Sequence, residues 1–231
     1  MNVLAIDTAT KILSVALETP LGRWYMESDA GLHHSERLLS MVDAILQQSG
    51  TKKQDLSLLA CMDGPGSFTG LRIGFATVKG MAAALGIPFT TVPTLDCFAY
   101  SWESWPGLVL PVIDAKKNCF FWALYQKDTC LTTYQDSPIS EITRSLPIQE
   151  DATPILITGP DAEMAYQVLH AGQIEQEQNR QIVLDQWCGN GKARELLVKA
   201  KNKYTMEGRG SDENSGPLYL RKSDAELARG Q

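Results

Sequence analysis

The chain has 231 residues, 44% of them apolar and 21% charged, with a formal net charge of −6. That is ordinary globular composition, and no apolar run approaches the roughly 18 residues that a membrane-spanning helix needs. An acidic chain without a long basic block does not grip RNA unaided, because phosphate neutralisation supplies most of such affinity. Any role on RNA is expected to be shared with a more basic partner.

The segment Met1 to Asp7 carries neither a basic region nor a small-residue cleavage site, so no export signal is expected and the protein is expected in the cytoplasm. Val3 to Ile6 reads as a short apolar strand and Asp7 to Thr10 as a polar turn. Ile12 to Leu17 and Arg23 to Glu27, separated by Gly22, complete an antiparallel meander. Ser35 is placed to cap a helix that stops at Gly50. On it Leu38, Leu39, Met41, Val42, Ile45 and Leu46 span an arc of roughly 160°, wider than the stripe of about 100° that faces a single core. The excess predicts a second covered surface.

Leu56 to Met62 is a buried strand, Asp63 to Gly70 a glycine-rich turn, and a helix follows from about Thr69 to Leu85. Leu71, Ile73, Phe75, Ala76, Val78 and Met81 to Leu85 cover nearly its whole circumference. Gly70, Gly74 and Gly80 destabilise such a helix unless close backbone approach offsets them. A helix apolar all round is buried all round, which predicts its own sheet on one side and another chain on the other.

Ile87 to Val92 is a strand, and a helix is expected from Pro93-Thr94 through Trp105. Leu110 to Asp114, the turn Ala115 to Asn118, and Cys119 to Tyr125 then repeat the opening meander. Ile6-Asp7 matches Ile113-Asp114 and Ala16-Leu17 matches Ala123-Leu124, both at a shift of 107 residues. The repeat predicts a duplicated α/β fold with lobes 1–106 and 107–231, divided near Pro106-Gly107. The second lobe is lean: a strand at Ile155 to Thr158, helices at Asp161 to His170 and about Lys192 to Lys203, and a polar, glycine-rich stretch from Gly208 to Pro217 expected to be flexible.

Cys61, Cys97, Cys119, Cys130 and Cys188 form no CxxC pair and read as reduced thiols. Lys192, Arg194, Lys199, Lys201 and Lys203 form either a local basic patch or a solvated helix face. The run Gly64 to Gly70 lacks the Gly-Lys-Ser/Thr of a Walker loop and the outer glycines of a nucleophile elbow around Ser67. Ser67 or Thr69 is expected to cap the helix. His33 and His34 are adjacent and His170 stands apart, so no i, i+4 ligand pair exists and surface histidines are expected. No metal site and no catalytic residue is assigned.

Two strand–Asp–turn–strand units resemble the fold shared by actin, Hsp70 and sugar kinases, in which such turns hold nucleotide phosphates and Mg²⁺. Asp7 with Thr8 and Thr10 would be one turn, and Asp114 with Lys116 the other. The glycine that usually follows the aspartate is missing here. Two readings therefore stay open: an aspartate capping its own backbone, or weak contact with ATP or ADP and Mg²⁺.

Ala5-Ile6-Asp7-Thr8-Ala9, His34-Ser35-Glu36, the run Gly64-Pro65-Gly66-Ser67-Phe68-Thr69-Gly70-Leu71-Arg72-Ile73-Gly74, Asp114-Ala115 and Pro217-Leu218-Tyr219-Leu220-Arg221 occur in that order. Together they resemble the TsaB (YeaZ) family from end to end, with a weak match from Gln126 to Ile148. The resemblance implies a non-catalytic paralogue of TsaD, the subunit that transfers threonylcarbamoyl to adenosine 37 of tRNAs reading codons that begin with A. It implies a heterodimer with TsaD, a homodimer, TsaE as a further partner, tRNA met only through the complex, and no required cofactor. Pairing through the two helices of the first lobe would put Leu38, Met41, Ile45, Leu71, Phe75, Val78 and Ala82 in or near the interface. The alternative function is a stand-alone actin-like ATPase or kinase built on Asp7 and Asp114.

Overall fold

The structure is a computed structural model and describes residues 1–31, 33–145, 153–175 and 181–221. The chain opens with strands β1 (Val3–Asp7), β2 (Ile12–Thr19) and β3 (Gly22–Asp29), then α1 (His34–Ser49), β4 (Leu58–Gly64), α2 (Phe68–Leu85), β5 (Phe89–Pro93) and α3 (Thr94–Tyr100). It continues through β6 (Leu108–Lys116), β7 (Cys119–Trp122), β8 (Tyr125–Gln126), β9 (Thr129–Cys130), β10 (Gln135–Pro138) and α4 (Ile139–Ser145). The last elements are β11 (Ile155–Thr158), α5 (Ala162–Glu175), β12 (Ile182–Leu184) and α6 (Ala193–Glu207).

These elements form two compact units, Met1–Cys97 with Asn190–Tyr219, and Phe98–Gly189 with Leu220–Gln231. The division differs from the single boundary expected at 106/107, because α6 returns to the first unit. The reason lies in β1. All five of its residues are buried, so both faces of the strand need apolar cover. Leu4 and Ile6 pack with Leu38, Ile45, Phe75 and Val78 of α1 and α2. Val3 and Ala5 pack on the opposite face with Ala193, Leu196, Leu197 and Ala200 of α6. α6 carries an apolar stripe that closes that second face.

The first sheet has the order β3-β2-β1-β4-β5, antiparallel from β3 to β1 and parallel from β1 through β4 to β5. In the second sheet β10-β7-β6-β11-β12 repeats the same order and directions. Duplication is therefore visible in topology as well as in sequence. The match is offset by one residue beyond the turn, however. Ile6 pairs with Val15, whereas Ile113 pairs with Phe121, so Ala123-Leu124 falls past the end of β7 and not opposite Ala16-Leu17.

Local differences have local causes. α1 starts at His34 and not at Ser35, with no side-chain cap; His34 is buried and its Nε2 lies 2.8 Å from the Thr10 carbonyl oxygen. α3 ends at Tyr100, short of Trp105. The stretch from Gly208 to Pro217 is pinned along the β5 edge: the Ser211 amide donates to the Phe89 carbonyl at 2.7 Å, and Lys79 Nζ donates to the Ser215 carbonyl at 2.5 Å.

The helix α2 is not buried all round. Gly70, Leu71, Gly74, Phe75, Val78 and Ala82 face inward, while Ala76, Gly80, Ala83 and Ala84 are exposed. A Cβ on Gly70 would overlap the Thr8 carbonyl oxygen and one on Gly74 would overlap Thr8 Oγ1, whereas Gly80 has open space around it. Close approach therefore explains two of the three helical glycines. Gly70→Ala is expected to destabilise the protein by about 1–3 kcal/mol through overpacking, and Gly80→Ala to stabilise it by up to about 1 kcal/mol through helix propensity. Denaturant titration of the two variants checks this opposite pair of signs.

Candidate functional site: two aspartate turns and a helix face

Asp7 ends β1 and is 1% exposed. Its Oδ1 accepts from the Ala9 amide at 3.0 Å. Its Oδ2 accepts from Ser14 Oγ at 3.3 Å and from the Lys192 amide at 2.9 Å. The Ala193 amide in turn donates to Ser14 Oγ at 3.1 Å. Donors at the start of α6 thus close over the carboxyl, where the helix end favours negative charge. Burial nonetheless pushes the Asp7 pKa up, against the lowering effect of those hydrogen bonds.

The rest of the turn is equally engaged. Thr8 Oγ1 donates to the Gly70 carbonyl at 2.7 Å. The Ser67 amide donates to the Ala9 carbonyl at 2.8 Å, and a Cβ on Gly66 would come within 2.5 Å of that oxygen. Thr10 Oγ1 accepts from the Ile12 amide at 3.2 Å. Ser67 Oγ caps α2 by accepting from the Gly70 amide at 3.2 Å. A phosphate here would meet a carboxyl whose oxygens already accept from the chain's own donors. The residues of this turn do not fit a nucleotide phosphate with Mg²⁺.

In the second unit Asp114 is held by its own chain as well. Its Oδ1 accepts from the Lys116 amide at 2.7 Å and its Oδ2 from Lys116 Nζ at 2.6 Å. The Asp114 amide donates to Asp161 Oδ2 at 2.7 Å. Lys116, Lys117 and Asn118 follow with φ of 64°, 57° and 58°, a left-handed conformation that costs non-glycine residues about 1–2 kcal/mol each. Both aspartates accept from an amide of their own turn.

The seven residues expected at a partner interface are all inside the first unit. Leu38, Met41, Ile45, Leu71, Phe75, Val78 and Ala82 are between 0% and 9% exposed. The wide apolar arcs serve the sheet and the α1–α2 contact. The face left outside is made of Leu39, 58% exposed, with Ala76, Gly80, Ala83 and Ala84, and the half-buried Ile73 and Met81.

The basic group also turns inward. Lys201 binds Glu18, which Arg23 Nε also binds at 2.6 Å. Lys203 Nζ donates to the Thr91 carbonyl at 3.0 Å. The Arg194 guanidinium lies 3.9 Å over the Tyr25 ring, and Lys192 is buried. Among the described residues no group of three His, Cys, Asp or Glu side chains converges as a metal site. His33 and His170 are exposed, as expected, but His34 is not.

Sequence reasoning passed over Asp63 and the end of the chain's strap. The Leu218 amide donates to the Asp63 carbonyl at 2.6 Å. Tyr219 packs on Phe68 with ring centroids 4.7 Å apart and accepts through its hydroxyl from Arg72 Nε at 3.0 Å. Asp63 Oδ1 is buried without a hydrogen-bond partner, and burial raises the Asp63 pKa from 3.8 to about 6. No periodicity marks these positions, since each contact is made by a residue distant in sequence.

The two buried carboxyls, Asp7 and Asp63, are satisfied to different degrees. Asp7→Ala would strand the Lys192 and Ala9 amides and is expected to destabilise the protein by at least about 1–3 kcal/mol, measured by thermal unfolding. For Asp63, the folded protein holds the proton up to about pH 6 while the unfolded chain releases it near 3.8. Stability should therefore fall as pH rises from about 4 to 6, by up to roughly 3 kcal/mol. Asp63→Asn should flatten that slope in pH-dependent denaturant titrations.

The model of the TsaD family, described as tRNA N6-adenosine threonylcarbamoyltransferase, matches residues 28–229. A tRNA threonylcarbamoyladenosine biosynthesis protein TsaB of Escherichia coli is 39% identical over 137 residues, covering 55% of this chain and 56% of that protein. Its counterpart in Bacillus subtilis is 30% identical, covering 73% of this chain and 75% of the relative. The match thus spans little more than half of the first relative and three quarters of the second. The solved structure of YeaZ from Pseudomonas aeruginosa superposes with a TM-score of 0.75 at 26% identity, over 95% of this chain and 99% of that one. The fold is the duplicated α/β fold seen in YeaZ, and the chain belongs to the family that the TsaD model describes, among its TsaB members.

Proposed function

We propose that this protein acts in the formation of threonylcarbamoyladenosine in tRNA as a non-catalytic subunit that pairs with a TsaD-type transferase, in the cytoplasm. The observation that carries the reading is the state of the Asp7 turn. The place where this fold class holds phosphate is filled by the chain's own helix ends. A turn so closed supports a protein that works through its surface. The acidic net charge of −6 supports contact with tRNA through a partner and not directly. No helix among the described residues is long and apolar enough to cross a membrane.

The surface we assign to the transferase is the outer face of α1 and α2: Leu39, Ile73, Ala76, Gly80, Met81 and Ala83. Small residues there let a partner helix approach closely, and Leu39, Ile73 and Met81 supply apolar area at its margins. The same face serves a homodimer, so pairing through it with a second copy and pairing through it with the transferase exclude each other. TsaE would join the assembly through other contacts.

Ala83→Glu places a charge on that face without touching the core. It should leave the melting temperature within about 2 °C, since exposed substitutions change stability little, and should weaken pairing with the TsaD of the same organism by at least about tenfold. Light scattering on a sizing column reads both masses. Unchanged heterodimer formation by the variant would refute the surface. Substantial ATP hydrolysis by the purified chain, lost in Asp7→Asn, would refute the non-catalytic reading and favour an actin-like ATPase.

A further inference from the structure

We propose that β3 is a self-complementary sheet edge through which two copies of this chain join, forming a continuous ten-stranded sheet from the two first-unit sheets.

The two edges of the first sheet are treated differently. The β5 edge is covered by the chain itself, where the Ser211 amide donates to the Phe89 carbonyl and Ser211 Oγ accepts from the Thr91 amide at 3.0 Å. At the other edge β3 runs eight residues in unbroken register with β2, from Asp29 opposite Ile12 to Gly22 opposite Thr19, with no bulge and no proline. Long, regular edges of this kind are templates for pairing.

The geometry of the ladder fixes which groups are offered. Ala30 donates its amide to the Lys11 carbonyl, so by antiparallel alternation the pairs Asp29/Ile12, Glu27/Ser14, Tyr25/Ala16 and Arg23/Glu18 are the non-hydrogen-bonded ones. The N–H and C=O groups of Arg23, Tyr25, Glu27 and Asp29 therefore point away from β2. The Asp29 carbonyl is already taken by Arg37 Nη1 of α1 at 3.1 Å, which closes that end and leaves Arg23 to Glu27 as the open stretch.

That stretch reads Arg23-Trp24-Tyr25-Met26-Glu27, and it is complementary to its own reverse about Tyr25. A twofold axis at Tyr25 sets Arg23 of one copy opposite Glu27 of the other at both ends. It sets Trp24 opposite Met26 on the face toward α1, where both are partly exposed and already pack on the core. Tyr25 meets Tyr25 on the face toward α6. Opposite charges, an aromatic–aliphatic pair and an aromatic pair are the cross-strand combinations that stabilise antiparallel sheets, and an isologous interface requires this self-complementarity. Charges on an edge ordinarily discourage pairing; here their spacing makes the twofold arrangement favourable and parallel pairing, which sets like charges side by side, unfavourable. This surface is separate from the outer face of α1 and α2, so one chain could use both.

The test is amide hydrogen exchange of the full chain between about 1 and 100 µM, with the mass followed in parallel. Exchange at Arg23, Tyr25 and Glu27 should slow by about tenfold or more as the dimer fills. Protection confined to α2 would assign the dimer to the helix face and overturn the proposal. A charge exchange gives the second arm, read in the Ala83→Glu background so that helix-face pairing does not contribute. Arg23→Glu and Glu27→Arg each set like charges opposite one another and should be monomeric alone, whereas an equimolar mixture should recover the dimer. Failure of the mixture to associate, with both variants folded by circular dichroism, would overturn it. Glu27 also accepts from the Gly191 amide; should Glu27→Arg fail to fold, the exchange arm on the unsubstituted chain decides.

Discussion

Everything in the first unit is organised around one buried carboxyl. Asp7 stands where three elements converge: the β1–β2 turn, the glycine-bearing end of α2, and the start of α6, whose Lys192 amide reaches it from 185 residues away in sequence. A buried carboxyl is tolerated only when hydrogen bonds replace the water it has lost. Here those bonds come from backbone amides that are themselves in need of acceptors at a helix start. Each side satisfies the other, and the exchange ties the last helix of the chain to its first strand.

That arrangement also explains the long glycine-rich run. The resemblance read from the sequence would leave space for phosphate at a turn of this kind. In this chain Gly66, Gly70 and Gly74 instead bring α2 against Thr8 and Ala9, and the space is consumed by the protein. A motif that looks made for an anion is a packing motif. Its conformational demand is met by close approach of backbone to backbone, with Ser67 capping the helix. The second unit reaches a similar end by another route, pairing Asp114 with Lys116 of its own turn.

With the interior committed, function moves to the outside. α1 and α2 bury their large side chains against the sheet and leave a face of small residues, while β3 leaves a run of backbone groups. Both are matters of shape and hydrogen-bonding pattern.

The sequence by itself determined the strands β1 to β7 and β11, the position of every helix but α4, the duplication and the family resemblance, because all of these are written in local periodicity, glycine placement and a contiguous motif. It did not determine which side of a helix faces inward. Leu38, Phe75 and Val78 have the same apolar character whether they meet their own sheet or another chain, and only the packed structure shows that the sheet takes them. Nor could spacing show that α6 belongs with the first unit, that His34 is buried against Thr10, or that the polar stretch after Gly208 is pinned along β5. Those outcomes rest on hydrogen bonds and contacts between residues far apart in sequence, and such pairings exist only once the chain is folded.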